Sequence, residues 1–147
     1  LHLSLRRQRQ MCIRDSGYRI RVGKAKELSG TILATGFPFK QKHHIEPYLK
    51  MFQSMFIECA DIRRAGSAAL DLAYVAAGRV DGFWEIGLKP WDTAAGELLA
   101  KEAGAIVTDF VGGHNYENSG NIVVANPRVL KEMLGKIREN LPESLAK

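Results

Sequence analysis

An α/β fold, with helices layered on a covered sheet, is predicted by three features of this 147-residue chain. Short apolar runs of strand length alternate with longer segments of helical period, the order that builds a layered sheet-and-helix sandwich. Two helical segments open on small residues, at Gly66-Ser67-Ala68 and Thr93-Ala94-Ala95-Gly96, and the last opens on Asn126-Pro127. After Ser16 no repeat, low-complexity segment or long linker divides the chain, so 17–147 reads as one α/β unit.

Residues 1–16 read differently. Leu1–Gln10 has no apolar periodicity, and Met11-Cys12-Ile13-Arg14-Asp15-Ser16 matches one reading frame of a common sequencing-library transposon adapter. No continuous apolar stretch or small-residue cleavage site marks a signal peptide. The segment is expected to be foreign to the fold, with a real basic arm as the alternative. The full chain carries 21 Lys+Arg and 16 Asp+Glu, a net charge of +5. Without the four arginines and one aspartate of 1–16, 17 basic and 15 acidic residues remain, or +2. That is too weak a charge for a basic track that would bind nucleic acid or an anionic membrane. Cys59 is then the lone cysteine, which suits a reducing cytoplasm. No apolar run reaches the ~18 residues of a membrane span.

The elements follow in order. Tyr18–Val22 alternates and predicts a strand with one wet face, and Thr31–Thr35 a more buried one. Ile45, Tyr48, Leu49, Phe52, Met55, Phe56 and Cys59 form a helical apolar stripe expected to pack on the sheet. His43 and His44, at its start, read as a solvated helix end rather than a metal pair. Ser67–Ala77 is apolar nearly all round and predicts a buried helix stopped by Gly78. Val80–Ile86 predicts a strand, then Asp92–Ala103 a helix with Glu97 and Lys101 at the favourable i, i+4 spacing and Gly104 as its end. Ala105–Thr108 and Ile122–Ala125 predict strands joined by a glycine-rich loop. Asn126 caps a final helix with Pro127 in its first turn and Leu130, Met133, Leu134 and Ile137 as its buried stripe.

The run Lys89-Pro90-Trp91-Asp92-Thr93-Ala94-Ala95-Gly96 is the most informative in the chain. A helix N-terminus presents unpaired N–H groups and partial positive charge, which attract phosphate. Small residues let such a ligand approach the backbone. A carboxylate at the same end can hold a hard cation such as Mg²⁺ against phosphate oxygens. Asp92 can equally be a plain helix cap. Glu85, at the end of the preceding strand, could line the same cleft, and Gly66-Ser67-Ala68 could offer N–H donors to an anion or a sugar hydroxyl. Asp71, Asp81 and Asp109 read as structural or solvated acids, and Trp84 and Trp91 as core anchors.

In order and spacing, Arg63-Arg64-Ala65-Gly66-Ser67-Ala68-Ala69-Leu70-Asp71, Asp81–Gly87, Trp91–Gly96 and Glu102–Asp109 resemble the C-terminal half of the inositol monophosphatase family, its bacterial branch above all. The run Trp91–Gly96 resembles that family's W-D-x-A-A-G signature, and the likeness extends from about Gly17 to the C-terminus. It implies the C-terminal half of a sugar-phosphatase fold and a Mg²⁺-dependent hydrolase of small phosphate monoesters. By the resemblance, Asp92 is a metal ligand beside the substrate and Glu85 accepts hydrogen bonds from inositol hydroxyls. Gly66, Ser67 and Ala68 contact the substrate, and Arg63 is a substrate-side arginine; the Arg63-Arg64 pair can also be a solvated charge cluster. The family's other metal ligands and its water-positioning residues lie on a Glu-bearing helix and an Asp-Pro-[Ile/Leu]-Asp-Gly-Thr signature, and no Asp-Pro pair occurs here. No catalytic residue is therefore assigned within the chain, which is expected to be inactive and poorly stable alone. The resemblance also implies a cytoplasmic homodimer at full length. Two alternatives stay open: a binding role in ribosomal RNA transcription antitermination, and hydrolysis of another sugar or nucleotide phosphate.

Overall fold

A computed structural model describes residues 14–15 and 18–146. Apart from Arg14 and Asp15, the segment 1–16 lies outside the described residues. Strand β1 (Arg14–Asp15) pairs antiparallel with β2 (Tyr18–Arg19) in a separate two-stranded ribbon. The strand expected over Tyr18–Val22 is thus shorter and does not join the main sheet. Its continuation instead lays Ile20 and Val22 against the core, and the Val22 N–H donates to the Ala103 carbonyl at 3.3 Å.

The main sheet has the order β4-β3-β5-β7-β6. Strands β3 (Ile32–Thr35), β4 (Asp61–Arg63) and β5 (Gly82–Glu85) run parallel, while β7 (Ile122–Ala125) is antiparallel to both β5 and β6 (Ile106–Thr108). Side chains alternate across a strand, so neighbouring residues feed two separate cores. Leu33, Trp84 and Val123 face a core shared with helices α1 (Ile45–Phe56) and α5 (Pro127–Glu139). Ala34, Phe83 and Val124 face a second core beneath α2 (Ala68–Ala76) and α3 (Pro90–Ala103). The result is the three-layered α/β sandwich that the alternating elements predict.

The helix ends obey local chemistry. Asn126 Oδ1 accepts from the N–H groups of Arg128 and Val129 at 3.0 and 3.1 Å, as an N-cap should. Its Nδ2 also ties down the preceding segment, donating to the carbonyls of Gly23 and Ala25 at 3.0 Å each. Gly104 ends α3 in the left-handed conformation, φ 101°, where a Cβ would be strained. Helices α2 and α3 lie side by side because Gly96 has no side chain; a Cβ there would sit 2.5 Å from that of Leu72.

Several expectations change. The α1 helix buries Tyr48, Met51 and Met55, whereas Ile45, Leu49 and Phe56 of the predicted stripe are exposed. His44 is buried rather than solvated; burial, then the neighbouring His43, lowers its pKa. Trp84 is fully buried, but Trp91 is 77% exposed and is no core anchor among the described residues. Helix α3 starts at Pro90, two residues earlier than predicted, because proline at its first turn loses no needed donor. Strand β4 and the single turn α4 (Tyr116–Ser119) were not anticipated. Among the described residues no helix is long and apolar enough to cross a membrane.

Candidate active site

In an open α/β sheet, ligands bind outside the carboxyl ends of parallel strands, where successive connections leave on opposite faces. That point here is β3. Its connection to β4 runs through α1 on one face, and the connection from β4 to β5 runs through α2 on the other. A cavity of about 220 Å³ opens there. Its walls are the segments that follow the three parallel strands: Thr35–Gln41 after β3, Arg64 and Gly66–Ala69 after β4, and Glu85–Leu88 after β5. Asp71 and Asp92 complete it from α2 and α3.

Glu85 is the last residue of β5 and shares a sheet face with Phe83, so it points to the α2 and α3 side. Its carboxyl group lies flat over the bare α-carbon of Gly36, the residue after β3, and any Cβ at 36 would collide with it. Glu85 is 8% exposed. Burial, with Asp71 and Asp92 nearby, pushes its carboxyl up to about 7, against the pull of Arg64 and Lys40. Burial likewise pushes Asp71 up to about 6, against Arg63 and Arg64.

A raised carboxyl pKa means the folded state holds a proton that the unfolded chain has released. Stability from Glu85 is then complete below the unfolded value of 4.5 and disappears as pH rises through about 7. Glu85→Gln, which carries no ionisable proton, is expected to flatten that loss. By pH 8 it should gain up to about 3 kcal/mol relative to the parent. Thermal unfolding at pH 5 and pH 8 in metal-free buffer checks this; parallel pH profiles for the two proteins would contradict it.

Asp92 stands at the third position of α3, and its Oδ2 accepts from the N–H of Lys89 at 3.0 Å. It is therefore a helix cap and a cavity residue at once. Among the described residues Oδ1 has no hydrogen-bond donor, which leaves one oxygen for a ligand. Ser67 caps α2, its Oγ accepting from the Leu70 N–H at 3.5 Å, and Gly66 makes the preceding turn with φ 92°. Two helix N-termini thus open near one cavity, each with partial positive charge. Asn121 Oδ1 accepts from the Gly87 N–H at 3.2 Å and steadies the wall after β5.

Glu85, Gly66, Ser67, Ala68 and Asp92 are brought together, as the sequence led one to expect. Arg63 is not among the lining residues; Arg64 is, because successive side chains at the end of an extended strand point opposite ways. Arg64 stacks over Phe37, 5.6 Å from its ring centre. Asp71, Lys40, Gln41 and the Phe37–Phe39 turn were missed. Asp71 had a usable signal, as the lone charge in an apolar helix; Lys40 and its neighbours had none, since only the chain reversal after β3 carries them to the cavity. No group of three or more His, Cys, Asp or Glu among the described residues can hold a metal ion. Mg²⁺ asks for octahedral oxygen ligands, so Asp92 suits one ligand of such a site and these residues do not form the site unaided.

The model of the inositol monophosphatase family matches residues 3–143. Nus factor SuhB of Escherichia coli (strain K12) is 64% identical over 130 residues, 88% of this chain and 49% of that protein. Nus factor SuhB of Vibrio cholerae is 65% identical over 122 residues, 83% of this chain and 46% of that protein. Among solved structures, extragenic suppressor protein suhB from Bartonella henselae superposes with a TM-score of 0.80 at 40% identity, covering 84% of this chain and 47% of that one. The inositol monophosphatase from Anabaena (Nostoc) sp. PCC 7120 gives 0.77 at 37% identity, covering 86% and 50%. The chain spans about half the length of the curated relatives it matches.

Proposed function

The chain belongs to the inositol monophosphatase family, and from that premise we propose that it is the substrate-side, C-terminal part of a Mg²⁺-dependent phosphomonoesterase that hydrolyses inositol monophosphate to inositol and phosphate. The observation that carries this reading is the convergence of Glu85, the Gly66–Ala68 turn and Asp92 on one cavity at the strand ends. Glu85 accepts hydrogen bonds from ring hydroxyls, and the Gly66–Ala68 turn holds the alcohol by N–H groups and the Ser67 hydroxyl. The N-terminus of α3 draws the phosphate, and Lys40 and Arg64 add positive charge at the mouth. Asp92 supplies one oxygen ligand for Mg²⁺. The remaining ligands, and the residue that orients the attacking water, belong to the part of the longer protein outside this chain. Catalysis then rests on positioning and charge neutralisation.

One face of α3 supports the same division. Trp91, Ala94, Ala95 and Leu98 recur at helical spacing and are all exposed, a stripe that a soluble helix normally turns inward. In the full-length protein, which we take to be a cytoplasmic homodimer, the other half covers it. The isolated chain should release no phosphate.

The Nus factor name of the Escherichia coli and Vibrio cholerae relatives favours a second role, in transcription antitermination through protein or RNA contacts. Activity on a related sugar or nucleotide phosphate is a third reading. A panel of inositol 1-phosphate, a hexose phosphate and a nucleoside 3′-phosphate, assayed on the full-length protein with Mg²⁺, separates them. The proposal requires the highest kcat/KM on the inositol ester. Preference for another ester moves the substrate assignment, and no turnover of any leaves the antitermination role first.

A further inference from the structure

Three aspartates of this chain begin as equivalent, structural or solvated acids, and the structure separates them. Asp109 is buried and fully occupied: Oδ1 accepts from Val111 and Gly113 at 3.0 and 2.7 Å, and Oδ2 from Asn115 at 3.0 Å. Asp81 Oδ2 accepts from the Ile32 N–H at 3.0 Å, across neighbouring strands. Asp71 does neither. It is 2% exposed, Arg63 and Arg64 act on it through their charge, and among the described residues its carboxyl group makes no hydrogen bond or ion pair. Neither of its oxygens is among the fully buried side-chain atoms left without a partner, so the carboxyl group opens on the cavity, where it is an acceptor available to a ligand. Its place on α2, one turn after Ser67, makes it part of the cavity wall beside Glu85.

We propose that Asp71 is a substrate-positioning residue which, together with Glu85, accepts hydrogen bonds from two neighbouring hydroxyls of the substrate, so that the cavity selects phosphate monoesters carrying a vicinal diol. This rests on the phosphatase reading above. Two acceptors without protein donors match two hydroxyl donors. A cationic ligand fits less well, since Lys40 and Arg64 border the same cavity. Sites built to hydrogen-bond a hydroxyl reject analogues that lack it, because their buried acceptors are left unpaired.

The test uses the full-length protein with Mg²⁺, its Asp71→Ala and Asp71→Asn variants, and two substrates, inositol 1-phosphate and phenyl phosphate, which has no hydroxyl to offer. Asp71→Ala is expected to reduce the preference for the inositol ester by about tenfold to a hundredfold, mainly through KM. Asp71→Asn, which keeps one acceptor oxygen, should recover part of it. Thermal stability should hold or rise in both, because no protein hydrogen bond is lost. Equal losses on both substrates, an unchanged preference, or a clear fall in Tm would each overturn the assignment. A wild-type protein inactive on inositol 1-phosphate but active on another diol-bearing ester would sink the inositol reading alone, and the variants would be judged on that ester. Activity confined to phenyl phosphate would overturn the Asp71 assignment as well.

Discussion

Asp92→Asn in the full-length protein is expected to lower the rate of phosphate release at least about a hundredfold, with no recovery at saturating Mg²⁺. The substitution is chosen for what it spares. Asp92 Oδ2 accepts from the Lys89 N–H at 3.0 Å, and an asparagine carbonyl can accept the same hydrogen bond. The start of α3 therefore survives, and the loss falls on the ligand role of the carboxylate. Asp92→Ala removes both, so it should add a stability cost of about 1 kcal/mol to the same kinetic defect. Steady-state assays across a Mg²⁺ titration, with unfolding curves for both variants, read the two effects separately. Near-normal turnover by Asp92→Asn would reduce Asp92 to the plain cap that its local sequence also allows.

The largest expected stability effect lies one residue from the site. Trp84 fills the core between β5 and α1, with ring centres 6.3 Å from Tyr48 and 6.4 Å from Phe52. Its backbone carbonyl accepts from Thr35 Oγ1 at 2.9 Å, which joins β5 to β3 directly behind Glu85 and Gly36. Trp84→Ala should cost about 3–5 kcal/mol, because a close-packed core only partly collapses around so large a void. The same indole has an unpaired Nε1–H among the described residues. Trp84→Phe removes that buried orphan donor while keeping an aromatic ring, so it should cost far less than the alanine change. Urea denaturation of the two variants decides this; equal costs would mean that the ring contributes little packing.

Periodicity made most of the fold legible. The buried runs of β3, β5 and β7 read directly as short apolar stretches, and α5 by the helical period of its stripe. Strand β4 is three residues long with Asp61 and Arg63 at its ends, and an edge strand of that kind carries no apolar alternation. In α1 the period was right and the phase partly so: Tyr48, Phe52, Met55 and Cys59 of the stripe pack on the core, whereas Ile45, Leu49 and Phe56 do not. That helix is apolar on two adjacent sides, and only packing against the sheet decides that Tyr48, Met51 and Met55 go inward. The site was legible where residues sit in recognisable runs, at Gly66–Ala68, Glu85 and Asp92. It was illegible where tertiary structure makes the choice. The end of β4 turns Arg64 rather than Arg63 to the cavity, and the turn after β3 brings in Lys40. Asp71 went unassigned because an acid on a helix ordinarily faces water; its being the lone charge of an apolar helix was the signal, and its burial bears that signal out.

The most direct test of the account joins the half of the Escherichia coli relative that this chain does not cover to residues 18–147, and compares phosphate release from inositol 1-phosphate with that of the 147-residue chain alone, each with and without Mg²⁺. The account predicts Mg²⁺-dependent turnover by the joined protein, its loss on Asp92→Asn, and none by the chain alone. Turnover by the chain alone, or release from the joined protein that ignores both Mg²⁺ and Asp92, would contradict it.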